Sequence, residues 1–124
     1  MMIGEVSDRT GLSVDTLRFY EKIGLIEPPL RNDGGRRVYG RDVLGWIDFL
    51  EQLNATGMKQ ADRVRYAALR QQGDSTLTAR REMLEAHRAV IAEKLERMQD
   101  TMALMDRKVA AYRALERETE GTGL

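Results

Sequence analysis

The sequence contains no cysteine in its 124 residues. Disulfides are thereby excluded, and with them thiolate metal ligands and thiol-based redox sensing. The single histidine, His87, has no neighbours at ligand spacing, so neither a metal site nor a cofactor is expected. No apolar run is long enough to cross a bilayer and no basic-then-apolar leader opens the chain, which is the expectation for a soluble, cytoplasmic protein with no membrane partner. An excess of either charge is missing too: 20 basic side chains stand against 20 acidic ones, so any basic surface has to be local. Sets of nucleophile, base and orienting group are absent, as are glycine-rich phosphate loops, and an enzyme is not expected. The length suits one domain, or one small domain with an extension.

Against these absences, residues 13–24, SVDTLRFYEKIG, stand out. Ser13 is a good N-cap, Gly24 a good terminator, and Val14 with Leu17 supplies an apolar pair at i, i+3, so the spacing predicts a short helix. Its other face carries Asp15, Thr16, Arg18, Phe19 and Lys22, a mixture that packing does not require. A helix over Ile3 to Thr10 precedes it and ends at Gly11, and two helices joined by a short glycine turn have the form of a helix-turn-helix, whose second helix enters the major groove of DNA.

Downstream, Pro28–Pro29 forces an extended path, and LRNDGGRRVYG reads as a two-stranded wing whose turn uses Asp33-Gly34 or Gly34-Gly35. Arg31, Arg36, Arg37 and Arg41 cluster there with Tyr39, a set suited to phosphate oxygens because a guanidinium offers paired planar donors. Arg41 to Leu53 and Met58 to Gln72 read as two further helices, with Trp46 completing the packing of the first and Gly73 ending the second. Ser75 or Thr76 then caps a helix running to about Arg117, roughly 60 Å long and too long for the small head to cover. Leu77, Leu84, Ile91, Met98, Met105 and Tyr112 fall at heptad d positions, and Leu95, Met102 and Val109 at a, while Arg81 and Arg88 occupy the earlier a positions. A dimer seam is therefore expected over Leu84, Ile91, Leu95, Met98, Met102, Met105, Val109 and Tyr112. Met98, Met102 and Met105 share a face and are chemically able to ligate copper(I), but seam positions are packing positions.

The residues IGEVSDRTGLSVDTLRFYEKIGLI, RRVYGRDV and LNATGM resemble the MerR family of transcriptional regulators over residues 2 to about 116. That resemblance implies a mainly α fold: a winged helix-turn-helix head with two supporting helices (residues 1–73), then a dimerisation helix (residues 75–117) forming an antiparallel coiled coil; residues 118–124 have no packing pattern of their own and are expected to be a disordered tail. It also implies DNA contacts from Arg18 and Tyr20 in the second helix and from Arg37 and Tyr39 in the wing, with Ser13, Asp15 and Thr16 at the groove-facing helix start. Two features depart from the family pattern. Gln60 and Arg63 stand where apolar core residues are usual, and the chain lacks both the family's sensing cysteines and an appended ligand domain.

The expected function is that of a homodimer that binds double-stranded promoter DNA and distorts it so that RNA polymerase uses the promoter differently, in answer to a signal the sequence does not name. The competing reading is a coiled-coil adaptor whose head binds protein, for which the zero net charge is the argument.

Overall fold

Side chains that bond within their own stretch build the turn between the first two helices of this computed structural model, which describes residues 1–122. The elements run α1 (Ile3–Thr10), α2 (Val14–Ile23), β1 (Leu30–Arg31), β2 (Arg37–Val38), α3 (Asp42–Ala55), α4 (Gln60–Gln71), a 3-10 turn at Asp74–Thr76, and α5 (Leu77–Thr122). After α1 the Ser7 hydroxyl donates to the Leu12 carbonyl at 2.6 Å and the Thr10 hydroxyl to the Val6 carbonyl at 2.7 Å, so the three-residue link to α2 is tied at both ends. α2 stops at Gly24, whose φ of +89° is open to glycine at no steric cost. The reversal there lets the Leu25 and Ile26 N–H groups both reach the Tyr20 carbonyl and returns their side chains to the core.

That core gathers Val6 of α1, Leu17 of α2, Leu25, Ile26, Tyr39 next to β2, and Ile47 and Leu50 of α3, with Ile3, Leu12, Tyr20, Val43, Trp46 and Val64 packed around it. Trp46 joins it as expected and does more. Its Nε1–H donates to the Leu25 carbonyl at 2.8 Å, its ring stacks on Tyr66 of α4 at 6.0 Å, and the Arg70 guanidinium covers the ring at 4.2 Å. A cation over an indole of this kind contributes about 0.5–1 kcal/mol at a site open to water.

Several boundaries differ from the sequence reading. Met58, expected as the start of the fourth helix, is instead a buried residue ahead of α4. Thr76 accepts the Nε–H of Arg80, one turn into α5, at 3.1 Å. It lies in the 3-10 turn and its hydroxyl donates to the carbonyls of Leu69 and Gly73 at 2.5 and 2.8 Å, which satisfies the exposed end of α4. The wing is not closed by a two-residue turn. Gly35 alone has positive φ (+76°), its N–H bonds to the Asn32 carbonyl at 2.9 Å, and the Asn32 side chain accepts from Gly34 and Arg36, both at 3.0 Å. An asparagine that mimics a backbone acceptor makes this longer turn self-supporting. α5 also continues to Thr122, past the expected end near Arg117 and into the stretch expected to be disordered, of which residues 123–124 lie outside the described residues.

The chain divides into two compact units, Met1–Leu84 and Glu85–Leu124. The first holds the core just described. The described part of the second is α5 alone, and nearly all of its residues are exposed. At 1.5 Å per residue, the helical stretch 85–122 is about 57 Å long.

Leu50 is fully buried in the first unit, and Leu50→Ala is expected to lower the unfolding free energy of that unit by about 2–5 kcal/mol in chemical denaturation. Phe19→Ala, on the exposed face of α2, is expected to stay within about 0.5 kcal/mol. Comparable losses for the two would place Phe19 in the core.

Candidate nucleic-acid interface

One side of α2 is set by the core and the other by what is left over. Leu17 is buried, so residues displaced from it around the helix face outward, and Asp15, Arg18, Phe19 and Lys22, at i, i+3, i+4 and i+7, form one exposed stripe. The stripe joins two cations, one acid and an aromatic ring. At its N-terminal end Ser13 and Thr16 are engaged with each other: the Ser13 Oγ accepts the Thr16 N–H at 3.1 Å and donates to the Thr16 Oγ1 at 2.9 Å. This is an N-cap that fixes where the stripe starts, a contribution of about 1 kcal/mol to the helix.

The wing meets the same helix through a buried carboxylate. Glu21 keeps only 9% of its side chain exposed; its Oε2 accepts from Arg37 Nη1 at 2.9 Å, and its Oε1 accepts from the Tyr39 hydroxyl. Arg37 thus sits beside α2 with one nitrogen committed and the rest of its five-donor fork open to another acceptor. Arg31 bonds the Gly35 carbonyl across the hairpin at 2.7 Å, and Arg31 and Arg36 are both exposed. Between α2 and the wing runs a groove of about 540 Å³, lined by Ile3, Arg18, Glu21, Lys22, Pro28 and Arg37. Three cations border it, and its one carboxylate is already bonded. A chain with no net charge has concentrated positive charge where α2 and the wing converge, and a strand of phosphates fits that pattern.

Tyr20 and Tyr39, expected beside Arg18 and Arg37 as outward contacts, are placed differently. Tyr39 is 4% exposed and its hydroxyl is held by Glu21; Tyr20 is half-buried and its hydroxyl donates to Glu51 Oε1 of α3 at 2.8 Å. The physical reason is that a buried phenol requires an acceptor, and each finds a carboxylate closer than any outside ligand. Burial, then the hydrogen bond to Glu51 and its charge, pushes the Tyr20 phenol above its ordinary value of 10.0, while Arg63 pulls it the other way. It remains a donor throughout the neutral range. Ser13, Asp15, Arg18, Phe19, Lys22, Arg36 and Arg37 remain at the surface, with Thr16 half-exposed among them.

Glu21 was not among the residues the sequence singled out, although a signal for it exists. It lies four residues after the buried Leu17, so an acid occupies an apolar register and requires a partner. Of the two polar residues that stand at expected core positions in α4, Gln60 is exposed and Arg63 is buried.

In the second unit, Ile91, Leu95, Met98, Met102, Met105, Val109 and Tyr112 are all exposed, Met98 by 69%, and they recur at alternating steps of four and three along α5. Leu84, expected to join them, is half-buried and belongs to the first unit. No group of three or more metal-ligating side chains lies together among the described residues, and no described helix is long and apolar enough to cross a membrane.

Residues 3–39 match the family described as MerR family regulatory protein. Among curated proteins, the chain is 31% identical over 126 residues to the HTH-type transcriptional regulator YfmP of Bacillus subtilis, a match covering 98% of this chain and 89% of that protein. It is 36% identical over 93 residues to the regulator AdhR of the same organism, covering 75% of this chain and 66% of AdhR, and it spans 44% of a second B. subtilis regulator, YyaN. Among solved structures, a MerR family transcriptional regulator from Listeria monocytogenes superposes with a TM-score of 0.88 at 34% identity, covering 99% of this chain and 96% of that one. HiNmlR, a MerR family regulator lacking the sensor domain and solved bound to promoter DNA, superposes with a TM-score of 0.80 at 27% identity, covering 98% and 94%.

Glu21→Ala removes the acceptor of a buried hydroxyl and the counter-charge of Arg37, and is expected to cost about 1–3 kcal/mol in chemical denaturation and to speed amide exchange in β2. Glu21→Gln keeps an acceptor and is expected to lose less. Equal losses would show that the Tyr39 bond contributes nothing.

Proposed function

The chain belongs to the MerR family of DNA-binding transcriptional regulators, and on that premise we propose that it works as a homodimer on promoter DNA, with α2 in the major groove and the wing against the flanking backbone. The observation that carries this reading is the groove bordered by Arg18, Lys22 and Arg37. Arg36 and Arg37 hold phosphates, which fixes register without reading sequence. Asp15, Arg18, Phe19 and Lys22 face the base edges, and an arginine paired to guanine O6 and N7 is worth about 1–3 kcal/mol of discrimination. Arg37 is well suited to hold phosphate because Glu21 has already restricted its side chain. Less rotamer freedom is then lost when DNA arrives. Tyr20 and Tyr39 act behind the surface, holding Glu51 and Glu21, and the wing tyrosine serves DNA through the wing's position.

Two heads act together through α5. The stripe from Ile91 to Tyr112 pairs with its copy in an antiparallel coiled coil, which sets the two copies of α2 on successive major grooves about 34–36 Å apart. The dimer bends and twists the promoter so that RNA polymerase engages it differently, and a signal acting through the head or the coiled coil shifts that distortion. A regulator of this kind works in the cytoplasm. Because the recognisable sensing elements of the chain are few, its signal is a partner protein, a small ligand or the DNA itself, and separation of these begins with the operator, recovered by sequencing genomic fragments retained by the purified protein.

Arg37→Ala is expected to weaken binding to selected and scrambled duplexes alike and to reduce the magnitude of the log K versus log salt slope by about one per subunit. An unchanged slope would remove the wing from the interface. Met102→Glu puts a carboxylate into the apolar seam, where desolvation costs several kcal/mol unless it takes up a proton. The variant is expected to sediment as a monomer at micromolar concentration and to need on the order of a hundredfold more protein to shift the operator, while Glu96→Gln, off the seam, changes neither. A dimeric Met102→Glu variant with normal operator binding would place the interface elsewhere.

A further inference from the structure

A second cleft, of about 250 Å³, opens where the base of the wing meets α3 and the last turns of α4, wholly within the first unit. Its floor is apolar: Leu25, Ile26, Tyr39 and Ala67 are buried, and Val43 and Trp46 half-buried. The polar atoms of that floor are already committed, the Tyr39 hydroxyl to Glu21 and the Trp46 Nε1–H to the Leu25 carbonyl. Around the floor stand two acids, Glu27 and Asp42, and one cation, Arg70, all three exposed.

Arg70 is the group that lacks a counter-charge. Its guanidinium is held 4.2 Å from the centre of the Trp46 ring, and it enters no ion pair among the described residues, although two carboxylates line the same cleft. A guanidinium offers five donors and no acceptor, and a carboxylate meets it through two parallel bonds. Asp42 lies in the first turn of α3, where its charge faces the positive end of that helix, so Glu27 alone is left against Arg70. The volume lies just under the roughly 300–1,000 Å³ of drug-sized sites, which suits one ring with a short side chain.

We propose that this cleft is the regulator's effector site, taking a one-ring aromatic monocarboxylate whose ring lies on the apolar floor and whose carboxylate pairs with Arg70. As an effector site it rests on the reading of α2 and the wing as a DNA interface. The route to DNA is short. Val38, Tyr39 and Gly40 line the cleft, Val38 follows Arg37 directly, and Pro28 borders both this cleft and the groove of Arg18, Lys22 and Arg37. A ligand that fills the cleft braces the base of the wing where Arg37 is bonded to Glu21, so DNA that uses this wing position binds more tightly. Ligand and DNA then raise each other's affinity by the same factor.

Trp46 is the only tryptophan of the chain, so its emission reports on the cleft without a label. The full chain is titrated with phenylacetate, with phenylacetamide, which keeps the shape without the charge, and with phenethylamine, which carries the opposite charge. Phenylacetate is expected to change the emission saturably with a Kd of about 1 mM, phenylacetamide to bind about tenfold more weakly, and phenethylamine more weakly still. Arg70→Gln is expected to reduce phenylacetate to the level of the amide while the amide's own affinity stays within about twofold. Against sodium chloride of equal ionic strength, saturating phenylacetate is expected to tighten binding to a duplex selected from a randomised pool about fivefold in wild type and less than about twofold in Arg70→Gln. A titration that does not saturate, equal affinities for the three compounds, or undiminished phenylacetate binding by Arg70→Gln would each overturn the site. Saturable binding with no change in DNA affinity would overturn its effector role. A chain that binds phenylacetate as described but selects no duplex refutes the DNA-binding reading, and the effector role with it, while the site stands.

Discussion

The carboxylate of Glu21 ties the wing to α2. It is nearly closed off from water, and it accepts from Arg37 and from Tyr39, both on the wing side of the head. The wing strands are two residues each, far too short to be stable by their own ladder. The hairpin is held by the burial of Tyr39, by this pair of bonds to α2 and by two bonds between Met1 and the Tyr39 backbone, at 2.7 and 2.8 Å. A buried charge is costly unless it is paired and fully bonded, and here both oxygens are engaged. The arrangement also explains how a chain with equal numbers of acids and bases presents a basic groove, since the acid nearest the groove is consumed in supporting one of its cations.

α2 is in fact anchored by two consecutive residues pointing to different neighbours. Glu21 reaches the wing, and Tyr20 reaches Glu51 on α3. Leu17, one turn earlier, supplies the apolar contact to the core. The exposed stripe on the far side is thus defined by three supports of different chemistry, which leaves the helix little freedom to roll. A helix held only by Val14 and Leu17 would present the same side chains with a wider spread of angles.

The sequence made the elements legible where the signal is local. Ser13 and Gly24 bracket α2 because a cap and a left-handed terminator act within a few residues of themselves, and the 4-3 rhythm of α5 is visible for the same reason. It misled at Met58 and Thr76, where burial and a bond to the preceding helix outweighed local preference. In the candidate site the outward residues Asp15, Arg18, Phe19 and Lys22 were legible because the apolar period leaves them over. Glu21, Tyr20 and Tyr39 were not legible in their roles, because each depends on a partner distant in sequence: Arg37 and Tyr39 for Glu21, Glu51 for Tyr20. No periodicity records such a pair. The burial of Arg63 belongs to the same class, visible in the sequence only as an arginine out of register.

The exposed rhythm of α5 bears on the amount of protein a cell must make. Met98, Met102, Met105 and Tyr112 offer an exposed apolar stripe, which the proposed dimer would cover. With the proposed dimer, dilution uncovers the stripe, and below the dissociation constant the number of paired heads follows the square of the number of chains. Halving the expression of such a protein removes three quarters of the paired form at those levels. Its promoters would then respond to gene dosage more steeply than any single head's affinity prescribes.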